Sequence, residues 1–298
     1  MYKIYVAATV MAVFLWSTSF ISTKIAYTTF PPITLGAARF ILASGVIGLV
    51  LCVKREFILP RRKDMLYLFL SGSLGITVYF VVENIGLDLT TASNAALIVA
   101  SYPAMTVLFE WRTFKIRPGI LKVIGLILAV IGVCIVSGNN AESGGDYQLI
   151  GNVLLVIAGV IWLLYNLVTQ KVVDKYPITT VSFYQTIYGT ALFIPLAFVE
   201  MKHWQTPTTL SLLMLLHLGI FCSVIAFLLY NFGLRKLSSS AAMSLLNLVP
   251  VFGVVLSILV LRETITSLQL FGGAIVVAGV MLSVGREPAR QIHVEEPF

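Results

Sequence analysis

The sequence predicts an all-α membrane protein: ten transmembrane helices arranged as two inverted-topology repeats of five. Three observations predict it. Of the 298 residues, 58% are hydrophobic and only 11% charged, against about 25% charged in a soluble domain; the mean hydropathy is +0.96. Apolar stretches of about 20 residues, enough to cross a bilayer, recur between short polar breaks. The second half of the chain then repeats the first.

In order, the ten stretches cover residues 5–27, 33–53, 65–87, 92–112, 119–138, 150–170, 178–199, 210–232, 239–260 and 268–285. The breaks between them include "FPPIT" at 30–34, "EFILPRRKD" at 56–64, "RPG" at 117–119, "NNAESGGDYQ" at 139–148 and "YPITT" at 176–180. Backbone in lipid must satisfy its own hydrogen bonds, so these spans are helices. Barrel strands would show alternation over shorter segments. The first stretch is long and has no clear small-residue cleavage site, so it reads as a retained span rather than a signal peptide.

The net charge of +7 sits in short clusters between the spans. That pattern orients a membrane protein and does not suggest nucleic acid. Lys54, Arg55, Arg61, Arg62 and Lys63 fall on one side, with Arg112, Lys115, Arg117, Lys122, Lys171, Lys175, Arg235 and Lys236. Lys3, Arg286 and Arg290 join them, so both termini are expected in the cytoplasm, with the chain in the cell (plasma) membrane. The other side carries Asp88, Glu142, Asp146 and Glu200, with few cations (Lys202, Arg262). Cys52, Cys134 and Cys222 are isolated in apolar runs, and His203, His217 and His293 do not cluster with them. The spacing suggests no disulfide, metal site or catalytic group. No phosphate loop or nucleotide motif is present, so no cofactor and no ATP drive are expected.

A shift of 147 aligns "ENIGLDLTTASNAALIVASYP" with "YNFGLRKLSSSAAMSLLNLVP" without a gap. Asn84 meets Asn231, Gly86 meets Gly233, Ala95 meets Ala242 and Pro103 meets Pro250. Gly125, Gly132 and Gly138 meet Gly272, Gly279 and Gly285. Nearer the N-terminus a shift of 146 pairs Trp16 with Trp162, Thr23 with Thr169, Pro31 with Pro177 and Thr34 with Thr180. The division expected is a first five-helix repeat over 1–138, an external linker over 139–149, a second repeat over 150–286 and a cytoplasmic tail over 287–298. Five spans per copy is odd, so the second copy enters the membrane upside down. Folds of this kind place a substrate near the midplane between the halves and alternate access by rocking.

The Trp16-Ser17 segment leading to Lys24, the Pro32…Arg39-Phe40 pair, the "NIGL" and "NFGL" segments and the "LRETITSLQLFGGAIVVAGV" ending resemble the EamA family of the drug/metabolite transporter superfamily, its ten-helix branch. The resemblance covers nearly the whole chain. It implies a secondary transporter, often an exporter of amino acids or related metabolites, and no enzyme. One departure is that "FKI" at 114–116 stands opposite "LRE" at 261–263. The alternatives are broad efflux of amphipathic cations and, from another class, a non-transporting membrane scaffold or sensor.

Trp162, Tyr165, Asn166 and Thr169 share one helical stripe; their first-copy partners are Trp16, Ser19, Phe20 and Thr23. The stripe reads either as a cavity lining or as helix packing. Asn94 with Ser101, and Ser240 with Ser244 and Asn247, form weaker stripes that could simply join helices. Tyr184, Gln185 and Tyr188 fit either reading. The candidate substrate-binding set is Trp16, Ser19, Tyr79, Glu83, Asn84, Ser101, Trp162, Tyr165, Asn166, Tyr188, Tyr230, Asn231 and Asn247. Pro103 and Pro250 are hinge candidates, because proline removes a backbone donor and kinks a helix. The glycine faces around Gly125, Gly132, Gly272 and Gly279 suit contacts within the chain or a dimer, so monomer and homodimer stay open.

Lys24, Arg39 and Glu83 are charges inside spans, and their matched positions hold Gln170, Gln185 and Tyr230. Joint loss of three charges predicts one cluster, Glu83 held by Arg39, Lys24 or both, because a lone buried partner costs about 3–5 kcal/mol. Glu83 then has three readings: a structural or gating ion pair, a contact for a cationic substrate, or a carrier of a coupling proton. Glu263 reads as a helix-end charge.

Overall fold

The computed structural model describes residues 2–55, 57–90, 92–115, 117–137, 147–249, 251–252 and 267–284. Among them every regular element is a helix. In order these are α1 (Tyr2–Ala26), α2 (Pro32–Lys54), α3 (Arg62–Gly72), α4 (Tyr79–Leu89), α5 (Ala92–Phe114), α6 (Ile120–Ser137), α7 (Gln148–Thr169), α8 (Ile178–Ala197), α9 (Thr209–His217), α10 (Ala226–Leu234), α11 (Ser239–Leu245) and α12 (Ser267–Val284).

Among the described residues, six rods are long and apolar enough to cross a membrane: Tyr2–Ala26, Pro32–Lys54, Arg62–Leu89, Gln148–Thr169, Ile178–His203 and Thr209–Leu234. They are the first three expected spans of each copy. The fifth and tenth expected spans include the shorter apolar helices Ile120–Gly132 and Leu270–Ser283. The fourth is α5, which runs through Pro103 and carries Glu110 and Arg112 in its last turns. The ninth begins as α11 and a tight turn at Leu246–Leu248; Pro250 and most of its second half lie outside the described residues. The exposed surface is studded with Leu49, Val53, Ile120, Val160, Leu213, Leu270 and Phe271, the side chains that lipid would cover. The interior holds Arg39, Asn166, Gln185, Asn231 and Asn247. Apolar outside and polar inside is what a multi-pass membrane protein requires.

Two of the rods are built alike. Between α3 and α4 the chain widens into a π-helical segment, Ser73–Val78; between α9 and α10 it does so again at Leu218–Ile225. The 147-residue shift superposes the two. Such widened turns break the regular backbone ladder and are frequent at functional sites.

Close packing follows the repeat as well. A β-carbon on Gly86 would lie 3.1 Å from the Gly151 carbonyl oxygen and 3.1 Å from Leu155. Its matched Gly233 meets Thr9 and the Tyr5 carbonyl, the positions matched to Leu155 and Gly151. In the pair α6 and α12, a β-carbon on Gly125 would come within 2.5 Å of the Gly279 carbonyl, and one on Gly132 within 2.7 Å of the Gly272 carbonyl. As one helix advances, its contact on the other retreats, so these two matched helices pack antiparallel through their glycines. Small residues permit that approach of backbones.

Helix starts are fixed partly from afar. Pro32 opens α2 as expected of a first-turn proline. Its free amides are capped by Glu200, which accepts from the Ile33 and Thr34 N–H groups at 3.1 and 2.7 Å and from the Thr34 hydroxyl at 2.8 Å. A carboxylate at a helix N-terminus is favourable. Thr208 and Ser238 cap α9 and α11 through the Ser211 and Ala241 amides.

Candidate functional site: a cavity between the two halves

One cavity is lined by both copies. Trp16 and Ser19 of α1, Arg39 of α2 and Glu83 of α4 reach it from the first half, and Trp162, Leu246 and Val249 from the second. Tyr79, Phe80, Val99 and Tyr102 complete the wall. The free space is about 50 Å³, room for a few waters but far below an ordinary ligand pocket of about 300 Å³ or more.

The aromatic side chains interlock. Trp16 meets Trp162 edge-on at 5.4 Å between ring centroids, and Trp162 lies 4.7 Å from Tyr79, 4.8 Å from Tyr165 and 5.6 Å from Tyr230. Offset and edge contacts of this kind are favourable. The two matched tryptophans differ in their polar atoms. The Trp16 indole N–H donates to the Cys222 carbonyl in the second π segment at 2.9 Å. The Trp162 indole N–H makes no matching bond to the first π segment, which packs Gly75 against the Tyr165 ring; its polar neighbour is the Tyr230 hydroxyl. The Tyr230 hydroxyl lies between Trp162 and Asn166, while among the described residues both side-chain polar atoms of Asn247 are buried without a partner. Unsatisfied buried polar groups are rare and call for an explanation.

The charged residues do not form the expected cluster. The Lys24 ammonium donates to the Leu87 carbonyl at 3.1 Å, one of the carbonyls left free at the end of α4. Its matched Gln170 donates to the Leu237 carbonyl in the turn after α10 at 3.0 Å, so in each copy this residue ties the end of the first rod to the end of the third or the turn beyond it, and needs no anion. Arg39 donates from Nε to the Ser223 hydroxyl at 2.8 Å, and its guanidinium lies 4.6 Å from the Phe80 ring centre and 5.2 Å from that of Phe40. Glu83 accepts from the Tyr79 hydroxyl at 3.1 Å. Arg39 and Glu83 face the same cavity but make no ion pair. Serine and two rings hold the arginine, and a neighbouring tyrosine on its own helix holds the glutamate.

Other expected site residues lie elsewhere. The Asn84 amide donates to the Pro32 carbonyl at 3.1 Å and sits against Gly36, tying α4 to the start of α2. Asn231 accepts from the Tyr165 hydroxyl at 2.8 Å and donates to Ser182 and Gln185 at 3.1 and 3.0 Å. Gln185 in turn donates to Ser71 and Thr169, both at 2.9 Å. These residues form a closed polar network beside the cavity rather than its wall. Tyr188 packs with Tyr184 and Phe69 in a separate apolar cluster around Leu68, Val172 and Val181. Asn247 neighbours the lining residue Leu246 in the turn after α11. The Ser101 side chain and Pro250 lie outside what is described. Phe80, Val99, Tyr102, Leu246 and Val249 line the cavity without having stood out in the sequence; they are ordinary apolar or aromatic residues inside apolar runs, with no spacing to single them out.

The profile of the EamA-like transporter family matches residues 3–138 and again 149–285. The chain belongs to the EamA-like transporter family. The two matches follow the two copies of the repeat. Among relatives of this EamA-like chain, a protein of Archaeoglobus fulgidus described as an uncharacterized transporter is 28% identical over 281 residues, covering 93% of this chain and 96% of its own. One from Streptantibioticus cattleyicolor, described as a probable terminal-alkyne amino-acid exporter, is 26% identical over 294 residues, covering 97% and 96%. A solved crystal structure at 20% identity superposes with a TM-score of 0.77 over 94% of this chain and 96% of that one, which makes the fold a shared one. Family and fold together make the protein a multi-pass membrane transporter of the EamA-like type.

Proposed function

We propose that the protein is a secondary transporter that exports a small organic metabolite, an amino acid with an apolar or aromatic side chain as first choice, by alternating access between two inverted five-helix halves. The observation that carries this reading is the cavity: its wall comes from both copies of the repeat and combines one guanidinium, one carboxylate and a ring of aromatic side chains. The relative described as an amino-acid exporter supports the substrate class. Antiparallel packing of α6 on α12, and the exchange of Gly86–Gly151 for Gly233–Tyr5 contacts, support inversion of one half relative to the other. With ten spans, both termini are cytoplasmic and the chain sits in the cell membrane. On the face then assigned outside, a hollow of about 330 Å³ is lined by Asp88, Glu200 and His203.

Alternating access needs two states of similar energy. The unequal tryptophans support this: Trp16 is bonded to one π segment while Trp162 lacks the equivalent bond to the other. The small cavity fits an occluded conformation that parts to admit substrate. The proton is the proposed coupling ion and Glu83 its proposed carrier. Broad efflux of amphipathic cations is the second reading, favoured by the aromatic wall beside Glu83. Transport by purified protein in proteoliposomes, with an amino-acid and amine panel and with or without a proton gradient, separates the two. Amino-acid flux supports the first reading and amine flux alone the second.

A further inference from the structure

We propose that Arg39 is the receptor for a carboxylate on the transported compound, so that the substrate is a carboxylate-bearing molecule and not a simple amine. This rests on the transport reading above and specifies how its site selects. Arg39 is 4% exposed and lines the cavity. It is held in place from behind: Nε is taken by Ser223, and the plane lies against Phe80 and Phe40. Among the described residues its two Nη nitrogens make no hydrogen bond, and no described carboxylate pairs with it. Glu83 on the same wall lies beyond ion-pair contact and acts on Arg39 only through space, so the buried Nη donors stay unsatisfied, which is costly. A guanidinium fork immobilised at one edge and open at the other is the geometry that takes a carboxylate with two parallel hydrogen bonds.

The repeat supplies the control. The matched Gln185 occupies the same place in the second half with all its polar atoms in use, toward Ser71, Thr169 and Asn231. A neutral side chain therefore suffices to bind that part of the fold together. The extra charge and the open Nη groups of Arg39 are not accounted for by packing. Glu83, on the same wall, has one carboxylate oxygen on the Tyr79 hydroxyl and is the group for a substrate ammonium. The aromatic side chains between them would hold an apolar side chain.

The test is calorimetric binding to the purified full chain in detergent. Each of the common L-amino acids is titrated, and each binder is compared with its decarboxylated amine. The expected result is that at least one amino acid binds and that its amine binds about tenfold to a hundredfold more weakly, the range for charge-assisted hydrogen bonds. Arg39→Gln, which copies the matched residue, should remove the advantage of the amino acid over its amine without weakening the amine. Arg39→Lys, which keeps charge without the fork, should fall between. An amine that binds as well as its amino acid overturns the proposal, as does an unchanged affinity in a monodisperse Arg39→Gln or Arg39→Lys protein. Binding of no amino acid to the wild type overturns the amino-acid reading as well, which distinguishes the two failures.

Discussion

Arg39 and Glu83 line the same cavity and do not pair. Opposite charges buried near each other usually neutralise one another; here each is held by its own neighbours, Ser223 and Tyr79, and neither is committed to the other. That leaves both free for a ligand, and it leaves Glu83 free to gain and lose a proton. The arrangement predicts that Glu83→Gln folds and, at saturating substrate and with weakened affinity, still exchanges it across a membrane but no longer accumulates it under a proton gradient. Counterflow and gradient-driven uptake in vesicles measure the two separately. Full gradient-driven transport in the variant excludes Glu83 as the proton carrier.

The matched tryptophans should respond unequally. Trp16→Phe removes the hydrogen bond to the Cys222 carbonyl and should cost about 1 kcal/mol. Trp162→Phe removes only the contact of its indole N–H with the Tyr230 hydroxyl and no bond to a backbone carbonyl, so it should lower the melting temperature in detergent less than Trp16→Phe does while lowering transport. Equal loss of stability in both variants would contradict the asymmetry.

Gly125 and Gly279 should tolerate no side chain. Gly125→Val drives a β-carbon into the α12 backbone and should destabilise by about 1–3 kcal/mol. Gly45→Ala, where nothing lies within 4 Å, serves as the neutral control. Thermal unfolding of both in the same detergent checks the contrast.

The Gln185 network should be a stability element, unlike Arg39. Gln185→Ala strips partners from Ser71, Thr169 and Asn231. Ser71 keeps its bond to the Leu68 carbonyl and Asn231 its bonds to Ser182 and Tyr165, so the cost should be about 1 kcal/mol for each hydrogen bond removed, about 3 kcal/mol in all. Loss of substrate affinity without loss of stability would reverse the roles assigned to these matched residues.

What the sequence made legible follows from what is local or repeated. The glycines at 125, 132, 272 and 279 marked a close helix contact, and the 147-residue shift paired segments that pack in matched ways. The stripe Trp162, Tyr165, Asn166 proved fully inside the bundle. What was hidden depends on partners far along the chain. Glu200 caps a helix 167 residues away, which no local pattern could reveal. The joint absence of three charges from the second copy suggested one ion cluster, but Lys24 serves a helix end and only Arg39 and Glu83 share a cavity. The two π segments left no composition signal, because their residues are as apolar as their surroundings. Tyr188 was drawn in by its polar neighbours on a span, yet its face turns to a different apolar cluster. A further contact was unmarked in the sequence: Asp64 pairs with Lys175 at 2.8 Å and accepts from the Tyr176 hydroxyl at 2.8 Å, clasping the start of α3 to the turn before α8.

The most direct test of the account is flux through the purified protein in proteoliposomes, with a panel of amino acids and amines, with and without a proton gradient. The account predicts gradient-dependent movement of at least one apolar or aromatic amino acid, weakened about tenfold to a hundredfold in apparent affinity by Arg39→Gln. Flux of no amino acid under either condition would contradict it.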